Sequence, residues 1–203
     1  MPTIGLTGNF GMGKSTVLKM FGRMGAVTYD IDSFVHSILE NNAIIKKITG
    51  VLGSSVLLKC SGRPALNKKL VASMIFNDPE QRKAIEKIIH PEVLELMKQA
   101  EAKVLKNEPD AVIVFEVPLL FEAGYEKHFD RTVVVYTNSQ NALNRLKGKG
   151  FTNDEARSRM RAQMPISAKM KRCDYSINNN YALQRTEKRV KKIMFKCLND
   201  FHM

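Results

Sequence analysis

The residues with the clearest chemistry lie in one glycine-rich segment near the N-terminus. Gly8, Gly13, Lys14 and Ser15 match every fixed position of G-x-x-x-x-G-K-[ST], the phosphate-binding P-loop. Its glycines let the backbone curl so that N–H groups point at phosphate oxygens, and the positive end of the next helix adds to that field. Lys14 can reach the β and γ phosphates, and Ser15 can bind Mg²⁺. The segment therefore predicts binding of a nucleoside triphosphate through Gly8, Asn9, Phe10, Gly11, Met12, Gly13, Lys14, Ser15 and Thr16.

The class of phosphate chemistry depends on residues outside this loop. A GTPase switch is disfavoured, because no aspartate in the chain has a glycine three residues on, and Asn67-Lys68-Lys69-Leu70 lacks the aspartate of a guanine motif. A small-molecule kinase needs a carboxylate near the γ-phosphate and mobile cations that close over the phosphates. The chain offers both, so a kinase is favoured.

Two carboxylates, Asp30 and Asp32, follow the second predicted strand. Ligands of open α/β sheets bind at the carboxyl ends of the strands, and alternation points both side chains the same way if the strand continues. One could orient an acceptor hydroxyl while the other holds magnesium-bound water. In the structural alternative, Asp32 only caps a helix that starts near Ser33.

A cluster of cations resembles a phosphate-closing lid. Six basic residues fall within seventeen positions around a Gly-x-Gly break, and Arg145 is the member most expected to touch phosphate. A solvated helix face is the alternative for the others. The six residues are Arg145, Lys147, Lys149, Arg157, Arg159 and Arg161.

The elements that must position these residues are visible in the hydrophobic pattern. Residues 1–7 predict a strand, 14–24 a helix and 26–30 a second strand, a unit typical of parallel sheets. The β-branched runs 111–117 and 132–136 predict central strands buried on both faces. Residues 66–106 predict two or three helices interrupted at Asp78-Pro79 and His90-Pro91. Short helices are expected over 139–147, 152–163 and 166–172, a strand over 175–177 and a basic helix over 182–198.

Composition limits the function classes further. The 203 residues include 32 Lys+Arg and 20 Asp+Glu, and residues 145–203 alone carry a net charge of +10. No run approaches the ~18 apolar residues that span a bilayer, so a cytoplasmic protein is expected. Cys60, Cys173 and Cys197 have no disulfide or zinc spacing and predict buried or half-buried apolar side chains in a reducing compartment.

Several further segments, in order along the chain, resemble the dephospho-CoA kinase family. The most specific is V-P-L-L-F-E after the third predicted strand. The matching segments are Ile75–Pro79, Ile88–Pro91, Val117–Glu122, Arg145-Leu146, Gln163–Pro165 and Asp174–Asn179.

The resemblance implies transfer of the ATP γ-phosphate to the ribose 3′-hydroxyl of dephospho-CoA, with Mg²⁺ as cofactor. It implies a single P-loop kinase domain over residues 1–203, with five parallel strands flanked by helices. Within that domain it implies a helical acceptor insertion at residues 62–93 and a lid at 145–166. Asp32 would be the base, and Lys14 and Arg145 would hold the transferring phosphoryl group. The acceptor would contact Asp32, Lys68, His90, Pro118 and Leu119.

Some residues depart from the family pattern or leave alternatives open. Asn67-Lys68 stands where Asp-Arg is usual and Lys149 where arginine is usual, and lysine lacks the two-pronged donor of arginine. Glu116 and Glu122 are each either a carboxylate that orients a ligand of the magnesium ion or the partner of a lid cation.

Two rival functions remain. The nearer is a P-loop kinase for another nucleotide or metabolite. The other is a basic nucleic-acid-binding protein that responds to ATP, suggested by the basic C-terminal third. Helix 182–198 lacks interleaved aromatic residues for base stacking, so neither nucleic acid nor membrane is an expected partner. The oligomeric state is not predicted.

Overall fold

The computed structural model describes residues 2–58 and 63–201. These residues form two compact units, one from the residues up to Asp30 and from Val104 onward, the other from Ile31–Lys103. Cys60 and the first two residues of the turn predicted at Ser61–Pro64 lie outside the described residues, as does position 62, where the predicted acceptor insertion begins.

The first unit contains a five-stranded parallel sheet. Its strands are β1 (Thr3–Thr7), β2 (Val27–Asp30), β3 (Ile113–Glu116), β4 (Arg131–Tyr136) and β5 (Tyr175–Asn178). Their order is β2-β3-β1-β4-β5, and every pairing is parallel. The predicted five-stranded parallel sheet is therefore confirmed, with β1, which leads into the P-loop, at its centre.

The helices divide between the two units: some flank the sheet of the first unit, and the others form the second unit. They are α1 (Lys14–Arg23), α2 (Ile31–Ile38), α3 (Asn42–Leu52), α4 (Lys68–Asn77), α5 (Pro79–Asn107), α6 (Ser139–Lys147), α7 (Asn153–Arg161), α8 (Ile166–Arg172) and α9 (Leu183–Phe201). Among the described residues, no helix combines the length and the apolar content needed to cross a bilayer.

The sheet core fixes the position of the P-loop. Val17 and Phe21 of α1 are fully buried against β1 and β4 side chains, and Val190 and Ile193 of α9 join the same cluster. Burial of each large apolar side chain stabilises the fold by about 1.5–3 kcal/mol. The strand before the P-loop and the helix after it are thus both anchored by packing.

The prediction of a helix break at His90-Pro91 is wrong. The interruption at Asp78-Pro79 is present, since α4 ends at Asn77 and α5 begins at Pro79, but α5 runs through Pro91 to Asn107. An internal proline costs about 3 kcal/mol through one lost hydrogen bond and a clash. Ile85, Val93 and Met97 bury one stripe of α5 on both sides of Pro91, and this packing outweighs that cost.

The two described cysteines fit the prediction of buried or half-buried side chains. Cys173 is half-buried, Cys197 is buried, and neither forms a disulfide. Burial raises the pKa of the Cys197 thiol to about 11, so the reactive thiolate is scarce near neutral pH.

Candidate active site

The backbone of the P-loop requires its glycines. Gly13 precedes α1 with φ 93°, in the left-handed region that glycine tolerates. A Cβ on Gly8 would lie 2.3 Å from the Val135 carbonyl oxygen, and one on Gly11 would lie 2.8 Å from the Ala142 carbonyl oxygen. The loop is therefore pressed against β4 and α6, and only glycine permits this approach.

Oxygen-bearing side chains lie at the carboxyl ends of β2 and β3 and at the start of α1. Ser15 Oγ donates a hydrogen bond to Glu116 Oε1 at 3.4 Å, and Glu116 is only 6% exposed. Asp30 pairs in register with Glu116 across β2 and β3. A hydroxyl and carboxylates are the ligands that Mg²⁺ prefers, so the residues present fit this ion. Lys14 is half-buried at the start of α1, while Thr16 is exposed in its first turn.

Arg145 lies against the P-loop backbone. Its guanidinium donates to the Met12 carbonyl at 3.3 Å and to the Asn179 carbonyl at 2.8 Å. The Asn179 side chain donates to the same Met12 oxygen at 2.9 Å. Side chains from α6 and from the residue after β5 therefore donate hydrogen bonds to the same carbonyl oxygen of the loop.

The end of the predicted lid also contacts the P-loop. Asn9 Nδ2 donates to the Met164 carbonyl at 3.0 Å, and the Phe10 N–H donates to Gln163 Oε1 at 2.8 Å. The Phe10 ring meets Phe151 edge-on with centroids 5.1 Å apart.

One lid cation has an aromatic partner. The Arg159 guanidinium lies over the Phe10 ring at 5.4 Å and over the Phe151 ring at 5.0 Å. Arg157 and Arg161 are exposed on the same helix. Arg159 is exposed as well and makes a cation–π contact with a P-loop residue.

The loop after β3 is tied to α8. Lys169 is fully buried, and its ammonium lies 2.8 Å from Glu122 Oε1, which also accepts the Met164 N–H at 3.0 Å. Thr7 Oγ1 and Lys169 Nζ both donate to the Pro118 carbonyl. Of the two alternatives for Glu122, the structure shows a cation partner, although that cation lies just beyond the predicted lid. Leu119, predicted to touch the acceptor, is 47% exposed.

The other predicted acceptor residues belong to the second unit. Asp32 is exposed in the first turn of α2, which begins at Ile31, so it lies inside the helix rather than before it. Lys68 begins α4, 3.4 Å from His36 Nδ1 and 3.7 Å from Glu40 Oε1. His90 is half-buried within α5.

An apolar cavity of about 170 Å³ lies within the second unit, beside Lys68. It is lined by α2, α4 and α5 through Val35, Val71, Ile75, Ile85 and Ile89, and by Leu39, which follows α2.

Several residues around the P-loop were not predicted individually from the sequence. Asn179 and Gln163 fall inside the segments that carry the family resemblance, which is the only signal that could have found them. Lys169 and Thr186 lie in basic helices among exposed residues, and nothing local distinguishes them. Their contacts join positions far apart along the chain, so residue spacing could not reveal them.

Comparison with known proteins agrees with the sequence resemblance. The family model for dephospho-CoA kinase matches residues 2–185. The chain is 37% identical over 196 residues to the dephospho-CoA kinase of Syntrophotalea carbinolica, covering 96% of this chain and 91% of that one. It is 34% identical over 195 residues to that of Aquifex aeolicus, covering 95% and 96%.

Solved structures agree on the fold. A Thermus thermophilus protein superposes with a TM-score of 0.84 at 31% identity, with 96% of each chain covered. The shikimate kinase of Acinetobacter baumannii, at 17% identity, gives a TM-score of 0.53 over 99% of this chain and 95% of that one, which shows a shared P-loop kinase fold. Family model, full-length relatives and fold agree, and the chain belongs to the dephospho-CoA kinase family.

Proposed function

We propose that this protein transfers the γ-phosphate of ATP to the ribose 3′-hydroxyl of dephospho-CoA, giving coenzyme A and ADP. The observation that carries the proposal is the family match over residues 2–185, in a chain whose P-loop is complete. The protein is thus an ATP-dependent kinase of coenzyme A biosynthesis. A cytoplasmic location stays a prediction from the sequence.

The reaction needs in-line displacement at the γ-phosphorus. The acceptor 3′-oxygen forms a bond to phosphorus, the bond to the β-γ bridging oxygen breaks, and its electrons leave with ADP. We assign the proton of the 3′-hydroxyl to the Asp32 carboxylate, which follows β2 by two residues. Lys14 and Arg145 offset the charge that develops on the transferring group.

Mg²⁺ is proposed as the cofactor, held with the help of the Ser15 hydroxyl. When bound, it neutralises charge on the β and γ phosphate oxygens. The carboxylate of Glu116, within hydrogen-bond distance of Ser15, would orient that hydroxyl or a water of the ion.

Two segments are assigned to substrate handling. Residues 62–93 are proposed as the acceptor region, where Lys68 is beside the apolar cavity and His90 lies in α5. The exposed Leu119 and its neighbour Pro118 are proposed to line the acceptor side in the first unit. Residues 145–166 are proposed as the lid, since Asn9 and Phe10 of the P-loop contact its C-terminal end.

The test is ADP formation by the purified protein with Mg·ATP and a panel of acceptors. Dephospho-CoA, adenosine, nucleoside monophosphates and no acceptor would be compared, with coenzyme A identified by mass. We expect turnover with dephospho-CoA alone, and none when EDTA removes the metal. Turnover only with another acceptor would keep the P-loop chemistry and overturn the substrate assignment.

The charge of the chain predicts a salt effect on substrate capture. Both substrates are polyanions, and residues 145–203, which include the proposed lid, carry a net charge of +10. We expect kcat/KM to fall more steeply than kcat as KCl rises from 20 to 300 mM, because salt screens attraction during encounter. Steady-state kinetics along this series measure both slopes, and equal slopes would contradict electrostatic steering.

A further inference from the structure

The amide of Asn179 occupies an unusual place beside the P-loop. Asn179 follows β5, is 2% exposed, and its own N–H continues the strand ladder by donating to the Tyr136 carbonyl at 2.8 Å. Its Nδ2 donates to the Met12 carbonyl at 2.9 Å. Its Oδ1 accepts the hydroxyl hydrogen of Thr186, a fully buried residue of α9, at 3.2 Å. The side chain therefore links the P-loop to the last helix.

The partners of this amide fix its orientation. A carbonyl oxygen can only accept, so the NH₂ group must face Met12. The Thr186 hydroxyl can then donate to the remaining amide oxygen. Because both ends of the amide are hydrogen-bonded in a buried setting, rotation of the side chain would leave buried polar groups unsatisfied and is therefore opposed.

The Met12 carbonyl determines where the next N–H points. In a trans peptide the C=O and N–H groups point in opposite directions, so holding the Met12 oxygen also sets the direction of the Gly13 N–H. Gly13 is the residue before α1, at the helix terminus where N–H groups are available to an anion. Two donors, from Asn179 and Arg145, converge on this one oxygen.

The contact leaves no room for another residue at position 13. A Cβ on Gly13 would lie 2.2 Å from Asn179 Nδ2. Glycine at position 13 is thus required by the Asn179 side chain as well as by its backbone angles. This close fit shows that the amide is packed directly on the bend that forms the phosphate cradle.

We propose that Asn179, held by Thr186, is a positioning residue that fixes the Met12–Gly13 peptide so that the Gly13 N–H faces the nucleotide phosphates. The proposal rests on the nucleotide-binding function proposed above and goes beyond it, since it assigns part of ATP affinity to a residue outside the P-loop. Asn179 acts through the loop backbone and takes no part in the chemical step.

The test compares three variants of the full chain by calorimetric titration with ADP. Asn179→Ala removes the amide but keeps the backbone carbonyl that Arg145 contacts, and we expect the Kd for ADP to rise about 10–50-fold. Thr186→Val removes only the hydroxyl that holds the amide, and we expect a smaller rise of about 3–5-fold in the same direction.

Asn180→Ala is the matched control. The Asn180 amide makes hydrogen bonds comparable to those of Asn179. Its Oδ1 accepts from the Thr137 hydroxyl and the Asn138 N–H, and its Nδ2 donates to the Asn178 side chain. None of these partners belongs to the P-loop. We expect a similar loss of thermal stability with an ADP Kd within twofold of the wild type. Equal weakening in both asparagine variants would reduce Asn179 to a structural role and overturn the proposal.

Kinetics supply a second readout. Asn179→Ala should raise KM for ATP about tenfold while KM for dephospho-CoA stays within twofold. An ADP Kd within threefold of the wild-type value in a folded Asn179→Ala protein would overturn the proposal. If that variant does not fold, the ADP titration of Thr186→Val decides in its place. ADP binding needs no acceptor, so a wild type inactive on dephospho-CoA would refute the proposed function and leave this comparison intact.

Discussion

Replacing Lys14 by methionine should lower kcat/KM for ATP by about 10³-fold. The ammonium is the only charged group within the P-loop sequence, and a single preorganised donor to developing charge contributes about 10²–10³-fold. Methionine keeps the apolar stem of lysine, so packing around this half-buried side chain is largely preserved. Initial rates of coenzyme A formation over a range of ATP concentrations would measure the effect.

Lys19→Met is the matched control for this prediction. Lys19 is exposed on α1, one helical turn beyond the P-loop. Its replacement by methionine makes the same chemical change as Lys14→Met without removing a phosphate ligand. We expect its rate constants to stay within twofold of the wild type. If a folded Lys14→Met protein loses less than tenfold in kcat/KM for ATP, the loop backbone and Arg145 suffice to stabilise the phosphate charge.

Asp32→Asn should lower kcat by about 100-fold or more, with ADP affinity within threefold of the wild type. Asparagine keeps the shape of the side chain but cannot accept the acceptor proton, and loss of a general base costs about 10²–10⁴-fold. The measurement pairs single-turnover rates, taken at saturating ATP and dephospho-CoA, with a calorimetric titration of ADP.

A purely structural role of Asp32 makes a different prediction. Asp32 lies in the first turn of α2, where a carboxylate interacts favourably with the helix dipole by about 0.3–1 kcal/mol. If that were its whole contribution, Asp32→Asn would lose a few degrees of thermal stability and keep kcat within a few-fold. A near-normal kcat would therefore remove Asp32 from the proposed chemistry.

The sequence was informative where a structural signal is local. The glycine spacing predicted the phosphate-binding loop, and the hydrophobic pattern on either side predicted the strand before it and the helix after it. The β-branched runs that became β3 and β4 predicted buried parallel strands, because a strand covered on both faces has no polar side.

The sequence failed where energies depend on distant partners. Pro91 predicted a helix end, but burial of Ile85 and Val93 on either side keeps α5 continuous. Glu122 had two alternatives until the fold placed the buried Lys169 beside it. Asn179 and Met12 are 167 residues apart, and no periodicity or spacing records a hydrogen bond of that range.

The central position of β1 has a consequence for how the protein is made. Hydrogen bonds from Thr3 at the start of β1 reach a residue 127 positions later, and the Asn179 contact reaches 167 positions from the P-loop. At about 5–20 residues per second of synthesis, the P-loop leaves the ribosome roughly 10–30 s before Asn179 does. The nascent chain carries the complete nucleotide motif throughout that interval but acquires its full phosphate cradle only when the last strand and helix dock.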